Sequence, residues 1–395
     1  MELARVPRRE LAMTPYELLL SESQERMLLV VARGREEEVR RIFARWELDA
    51  VEIGRVTADP HLTVRLDGEI VAHVPVDALA EAPRYEKPVA EPSDSAARRA
   101  FDPLTLEAAR DDNAALLDLI ASPTIASKEW AFRQYDQQVG LNTLVLPGSD
   151  AAVLRVKGTR RGLAVATDGN GRHVELDPRR GAAMAVCEAA RNVSCAGARP
   201  IGVTDCLNFG SPERPEILWQ FAEAVDGIAD ACRALDLPVV GGNVSFYNET
   251  SGRAILPTPI IGVVGVLEDA ERRAVQWFRA PDCRVAWLGS DAISLGGSEY
   301  LWVRHGIAAG PLAPLDLELE RRVQRAVEAT VAAGLVSVAH DCADGGIAVA
   351  LAEACMTGPK PVGCDVTLTS SARRDLTLFG EGPSRVILAV EPEHV

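Results

Sequence analysis

The feature that most limits what this chain can fold into is an internal repeat. Residues 22–30 read ESQERMLLV and residues 381–389 read EGPSRVILA. Each copy has a glutamate, three residues, an arginine and then an apolar run. Each also follows a leucine-containing lead-in, ELLLS and LTLFG. A Glu-x-x-x-Arg before a strand is common by chance, so two unrelated strand edges are the bland alternative. Placement gives the match its weight, because recurrence of a segment reports a repeated structural unit. After the first copy the sequence completes a domain up to about residue 85. The second copy is followed by only a few residues, ending EPEHV. The chain is therefore expected to begin late in one copy of a domain and to end inside the next.

Composition narrows the function classes. The 395 residues are 47% hydrophobic and 25% charged, an ordinary globular balance with length for about two or three domains. The formal net charge of -15 repels phosphate backbones and argues against nucleic acid as a partner. It leaves a nucleotide site open, since magnesium offsets phosphate charge locally. No apolar run approaches the roughly 18 to 20 residues that cross a bilayer, and MELARVPRRE lacks an apolar signal core. None of the eight cysteines forms a C-x-x-C pair. Most lie in apolar stretches where cysteine acts as a small hydrophobe, which suits a reducing cytoplasm.

Periodicity predicts alternating strands and helices. A buried strand is expected at 25–33, and a helix over 34–47 from the spacing of Val39, Ile42, Phe43 and Trp46. Strands are expected at 49–57, 62–68 and 69–75, the last two joined by a turn at Asp67-Gly68. Proline and charge mark 82–103 as a linker. Beyond it come a helix near 104–121, strands at 143–147, 151–157 and 162–168, and a helix at 181–197. A strand at 200–206, a helix at 213–235 and strands at 237–245 and 259–267 follow. A last segment has helices at 315–333 and 345–357, and strands at 336–341, 364–369 and 384–391.

Several polar clusters sit where chemistry is done. PGSDAAVLRV (147–156) puts Asp150 in a turn before a strand, where it could meet a metal or a polar ligand group; taken alone, the motif is better explained as a plain turn. TDGNGRHVELDPRRG (167–181) holds Asp168 and a glycine-rich loop running into a helix expected near Gly181. Helix starts suit phosphate, and a capped hairpin loop is the alternative. TDCLNFG (204–210) and GGNVSFYNET (241–250) both follow apolar strands and place Asp205, Asn208, Asn243 and Ser245 at strand ends. Oxygen ligands of this kind suit magnesium, and the double glycine admits a nucleotide close to the backbone. AHDCADGG (339–346) ends a strand with His340 and Asp341 and starts a helix. No nucleophile completes a triad, so a structural histidine is the expected role. In SESQERM (21–27), Glu22, Ser23 and Gln24 could hydrogen-bond a polar ligand, or simply form a solvated strand edge. No Walker A loop or kinase signature is present.

Together these motifs resemble a known family. LLLSESQERMLLVV, ASPTIASKEWAFRQYD, PGSDAAVLRVKGT, TDGNGRHVELDPRRG, TDCLNFGSPE, GGNVSFYNET, LGGSEY and AHDCADGGIAVALAE are similar, in order, to the later part of the small-type synthetase subunit of phosphoribosylformylglycinamidine synthase. The resemblance runs from about residue 10 to the end. It implies an α/β (α+β) fold, a tandem repeat of aminoimidazole-ribonucleotide-synthetase-like N-terminal and C-terminal domains truncated at both ends. Residues 1–85 would be the later part of a first sandwich domain and 86–103 a linker. Residues 104–270 would be a second N-terminal-type, ATP-site domain, and 275–395 most of a second sandwich.

The implied reaction is ATP-dependent amidation of formylglycinamide ribonucleotide in purine biosynthesis. Ammonia would come from a glutaminase subunit joined through a small bridging subunit. Transferred residue by residue, Asp205 and Gly242 would contact ATP, Asn243 would hold Mg2+, and Glu22, Ser23, Gln24 and Ser245 would contact the substrate. Asp150 and Asp168 would belong to an auxiliary nucleotide site. The family's catalytic histidine lies in a domain outside this sequence, and KEWAFRQYD has none. Ala343 also stands where the wider superfamily often has serine. A non-catalytic nucleotide-binding module and a small-molecule kinase of the same superfamily are the alternative readings.

Overall fold

The computed structural model describes residues 1–8, 10, 12–22, 26–81 and 85–390. They form two compact units, Met1–Glu86 and Lys87–Val395. In the first, α1 (Pro15–Leu20) begins with a capping box, Thr14 and Glu17 satisfying each other's backbone donors. Helix α2 (Glu36–Ala44) follows. Strands β1 (His61–Leu66) and β2 (Glu69–Pro75) pair antiparallel, and α3 (Val76–Ala80) closes the unit. The hairpin turn has positive φ at Asp67 and Gly68, as a two-residue turn of this kind requires. Leu3, Leu18 and Val64 form the unit's small core.

Two strands expected here do not form. Residues 26–33 and 49–57 pair with no strand among the described residues. Met27, Leu28 and Val30 are 78–80% exposed. Apolar content predicts a buried strand, but a strand also needs a hydrogen-bonding neighbour, and none is supplied here.

The second unit begins with three helices, α4 (Ser95–Ala100), α5 (Asp112–Ile120) and α6 (Glu129–Phe132). The stretch read as a linker thus holds a helical turn, and its Arg98 donates to Glu175 at 2.5 Å. Strands β3 (Thr143–Val145), β4 (Ala152–Arg155) and β5 (Gly162–Asp168) lead to α7 (Gly171–Leu176) and α8 (Pro178–Cys195). The glycine-rich loop is therefore largely helical, and the long helix starts at Pro178 rather than Gly181. Proline suits a first helical position, and Asp177 caps the Arg180 amide. Next come β6 (Arg199–Asn208), α9 (Pro215–Leu235), β7 (Val239–Ser245), the short hairpin β8 (Glu249–Thr250) and β9 (Arg253–Ala254), and β10 (Thr258–Leu267).

These strands build a six-stranded sheet in the order β3-β4-β5-β10-β6-β7, with β6 and β7 parallel. Alternate residues of β5, β6 and β10, such as Ala164, Val203, Ile261 and Val263, are buried in one core with α8 and α9. Apolar side chains at the intervening positions of β5, Leu163 and Val165, are exposed on the other face.

The remaining elements are β11 (Arg284–Gly289), α10 (Glu299–His305), α11 (Leu317–Ala332), β12 (Val336–Asp341), α12 (Gly346–Met356), α13 (Arg374–Phe379) and β13 (Arg385–Val390). Their sheet runs β11-β13-β12, so the apolar run of the second repeat copy is its central strand. Residues 364–369 form no strand, since neither edge of this sheet pairs with them.

The two repeat copies share one local geometry. Arg26 donates to the Ser21 carbonyl at 2.6 Å, and Arg385 to the Gly380 carbonyl at 2.9 Å. In each case the arginine reaches five residues back to its own lead-in, although only the second copy continues as a strand.

Helices α8 and α9 approach closely because Gly227 faces the Arg179 backbone. A Cβ at Gly227 would overlap that carbonyl group and lie 2.8 Å from its carbon. Gly227→Ala is expected to cost about 1–3 kcal/mol through overpacking, read as a lower midpoint in urea unfolding. Gly363→Ala, where a Cβ meets nothing within 4 Å and the backbone is not left-handed, is the control for loss of glycine itself.

Candidate functional site

The parallel pairing of β6 and β7 brings the ends of the two polar loops together. Asp205 pairs with Gly242, Cys206 with Asn243 and Asn208 with Ser245. Parallel strands end at the same edge, which is where α/β sheets place ligands. Gly242 has a steric reason: a Cβ there would sit 2.6 Å from the Asp205 carbonyl oxygen and closer still to its carboxylate.

Strand alternation then separates the side chains. Asp205 is in register with buried Ile261, on the helix-covered face. Partial burial raises its pKa. Burial, with the nearby Asp205 carboxylate adding to it, pushes the Cys232 thiol of α9 up to about 11. Asn243 and Ser245 share the opposite face with Cys206 and Asn208. The structure thus brings Asp205 beside Gly242 and Asn243 near Ser245, but directs Asp205 and Asn243 to opposite faces. Oxygen atoms of Asn243, Asn208 and Ser245 on one face are of the kind magnesium takes while keeping several waters.

A clasp holds the two loops in register. The Asn248 amide nitrogen donates to the Phe209 carbonyl at 3.0 Å and to the Ser245 carbonyl at 2.7 Å. The Ser245 hydroxyl donates to Asn248 Oδ1 at 3.2 Å. Backbone bonds from Phe209 N to Ser245 O and from Tyr247 N to Gly210 O complete it. The sequence offered a signal for Asn248, a polar side chain three residues after Ser245 in a loop already rich in Asn and Gly.

Glu22, the one residue of the Glu22-Ser23-Gln24 group that is described, is exposed at the end of the lead-in after α1. Ser23 and Gln24 lie outside the described residues.

Asp150 and Asp168 belong to one buried acidic network. The Asp150 carboxylate accepts from His340 Nδ1 at 2.9 Å and from the Asp341 amide at 3.3 Å. His340 Nε2 lies 3.2 Å from Glu353. Burial alone would lower the His340 pKa, but Asp150 and Glu353 override it and hold the ring well above its ordinary value. Asp150 is thus committed to an ion pair rather than to an open metal site.

Asp168 accepts from Gly169 N at 2.6 Å and from Asn192 Nδ2 at 3.3 Å. Burial and then the Asp341 charge push its pKa up to about 7. Glu188 and Asp344 are raised as well, by burial and then by neighbouring carboxylates. Arg191 opposes them from within, bonded to Asp341 at 2.5 Å and to Glu320 at 2.8 and 2.9 Å. Arg191 and, beside Asp344, Arg172 offset part of this acidity, and the raised carboxyls hold on to protons. Asp168, Glu188, Asp344 and the Asn192 amide carry hard oxygen donors, but the three carboxylates do not converge into a ready-made metal cluster among the described residues. Sequence reading missed Glu188, Asn192 and Arg191. Their signal was the polar triplet inside AVCEAARNVSCAG, an otherwise apolar helix.

Glu381, the glutamate of the second repeat copy, is 5% exposed and accepts from Gly345 N at 2.7 Å and Glu299 N at 2.8 Å. It anchors the starts of α12 and α10, where orphan amides favour an anion. His173, Glu188, Asp344 and Glu381 line one small cleft.

A raised carboxyl pKa sets a sign for stability. The native state holds a proton on Asp168 that the unfolded chain releases near pH 4, so folding weakens as pH rises toward 7. Asp168→Asn is expected to melt higher than wild type at pH 8, with the gap closing near pH 4. Equal melting of the two proteins across that range would disprove the assignment.

Comparison with known proteins agrees with these features. Residues 148–267 match the AIR synthase related protein N-terminal domain. Residues 1–67 and 280–395 match the AIR synthase related protein C-terminal domain, which therefore occurs in two places, as the repeat requires. Phosphoribosylformylglycinamidine synthase subunit PurL of Moorella thermoacetica is 52% identical over 393 residues, covering 99% of this chain and 53% of the relative. That of Thermomicrobium roseum is 52% identical over 398 residues, covering 99% and 54%. The chain spans about half the length of the curated relatives it matches. Among solved structures, T. maritima PurL complexed with ATP superposes with a TM-score of 0.65 at 24% identity, over 99% of this chain and 56% of that one. The same protein complexed with FGAR gives 0.66 at 24%, over 99% and 54%. At that identity the likeness speaks for the fold. No helix among the described residues is long and apolar enough to cross a membrane. With two domain types matched over most of its length and curated relatives at half identity, the chain belongs to the AIR synthase related family, on the branch of phosphoribosylformylglycinamidine synthase subunit PurL.

Proposed function

We propose that this chain supplies part of the active site of an ATP-dependent ligase that converts formylglycinamide ribonucleotide to its amidine in purine biosynthesis, in the cytoplasm. The reading rests most on one observation: 52% identity across 99% of the chain to proteins that bear this activity as their name. The clasp between the loops of Asp205 and Ser245 supports it, because it fixes two polar strand ends at one sheet edge.

In the reaction, ATP phosphorylates the substrate's amide oxygen, and ammonia displaces that phosphate at the same carbon. The ammonia comes from a separate glutaminase subunit joined through a small bridging subunit. Magnesium, when bound, offsets charge on the triphosphate. The work of this chain is positioning. Asp205 and Gly242 contact ATP from the β6–β7 edge. Asn243 offers its amide oxygen to the metal, and Ser245, held by Asn248, contacts the substrate; Glu22, Ser23 and Gln24 of the first unit are further substrate contacts. Asp168 and the ion pair of Asp150 with His340 shape an auxiliary nucleotide site. The working domains are 1–85, 104–270 and 275–395, with 86–103 between the first two.

The second reading is a non-catalytic nucleotide-binding module, favoured by the buried acids at Asp168, Glu188 and Asp344. The test combines the chain with the part of a PurL relative that it does not span, and follows ADP release with substrate and ammonia. Ammonia-dependent turnover that falls roughly 10- to 100-fold in Asn243→Ala supports the ligase. Nucleotide binding that is lost in Asp168→Asn, without any turnover, supports the module.

A further inference from the structure

Three metal-ligating side chains converge on the β1–β2 hairpin of the first unit. Asp59 precedes β1, His61 opens it and His73 lies on β2. Each offers a ligand atom, and these atoms lie within 4.8 Å of one another. Thr63 pairs with His73, so His61 and His73 sit diagonally on one face of the hairpin. The other face carries Leu62, Val64 and Ala72 into the core. The imidazoles stack, with centroids 4.3 Å apart and planes 10° from parallel. Each ring is held at Nδ1, His61 by Asp59 Oδ1 at 2.8 Å and His73 by Thr63 Oγ1 at 3.0 Å.

We propose that Asp59, His61 and His73 form a binding site for a borderline divalent transition metal of the zinc class. Two imidazoles and one carboxylate suit zinc, copper or nickel, whereas magnesium and calcium prefer all-oxygen sets. Zinc takes such ligands at about 2.0–2.2 Å and accepts three from protein with water in the fourth place. Lone pairs of parallel rings do not meet at one point, so one imidazole turns as the metal enters. His73 and Asp59 are exposed and have room to do so. The hydrogen-bonded hairpin keeps their backbones in place, so closure is a side-chain movement.

The test is a zinc titration of the full chain against a chromophoric chelator, in a phosphine reductant and excess magnesium to fill the all-oxygen sites. Cys355 and Cys364, whose sulfurs lie 3.5 Å apart, are the competing zinc ligands. The titration is therefore repeated in Cys355→Ser/Cys364→Ser. One equivalent bound in both backgrounds, lost in His61→Ala and in His73→Ala and weakened roughly tenfold or more in Asp59→Asn, supports the site. All three side chains point away from the core, so unchanged circular dichroism in the variants separates lost binding from lost fold. Zinc uptake that disappears with the cysteines, survives His73→Ala, or is absent from the start overturns it.

Discussion

Arg191 is the interaction around which the second unit is organised. It is buried on α8, the helix that lies against the six-stranded sheet. Its guanidinium reaches Asp341 at the end of β12 and Glu320 on α11. Sheet layer, second sheet and helix are thereby tied through one cation. Truncating one partner of such a buried pair costs about 3–5 kcal/mol, because it strands a charge in low dielectric. The geometry is also full: Ser384 donates to Glu320 at 2.6 Å, and Gln324 at 2.9 Å. Asp168 and Glu188 remain crowded beside this cation and Asp344 beside Arg172, and the raised carboxyls retain protons.

The polar edge of the sheet shows a different economy of means. Two loops far apart in sequence are set side by side by strand pairing, and one asparagine, Asn248, locks them. Gly242 keeps the Asp205 carboxylate from colliding with its neighbour strand. Backbone register, rather than long side chains, decides which polar groups share a face.

Much of this was legible in the sequence, but unevenly. Helices α2, α8 and α9 follow from apolar spacing, with Pro178 and Pro215 marking their first turns. The hairpin at Asp67-Gly68 follows from its turn chemistry. The matching arginine-to-carbonyl bonds of Arg26 and Arg385 give the repeat a physical basis. The first copy's apolar run did not form the strand its composition implies, because composition reports burial and not the presence of a pairing partner. Asp150 was read as a turn residue that could meet a metal, and it proves to be engaged by His340, a residue 190 positions away.

By itself the sequence determined the β1–β2 hairpin, the main helices and strands of the second unit, the repeated motif and the presence of polar loops at strand ends, because periodicity, turn residues and motif spacing are local properties. Only the tertiary structure decided that Asp205 and Asn243 face opposite ways, that Asp150 and Asp168 share one network through Asp341, and that Asp59 meets His73. Those outcomes depend on register and packing between segments distant along the chain. A shift of one residue in a strand would reverse every face assignment without changing a single motif.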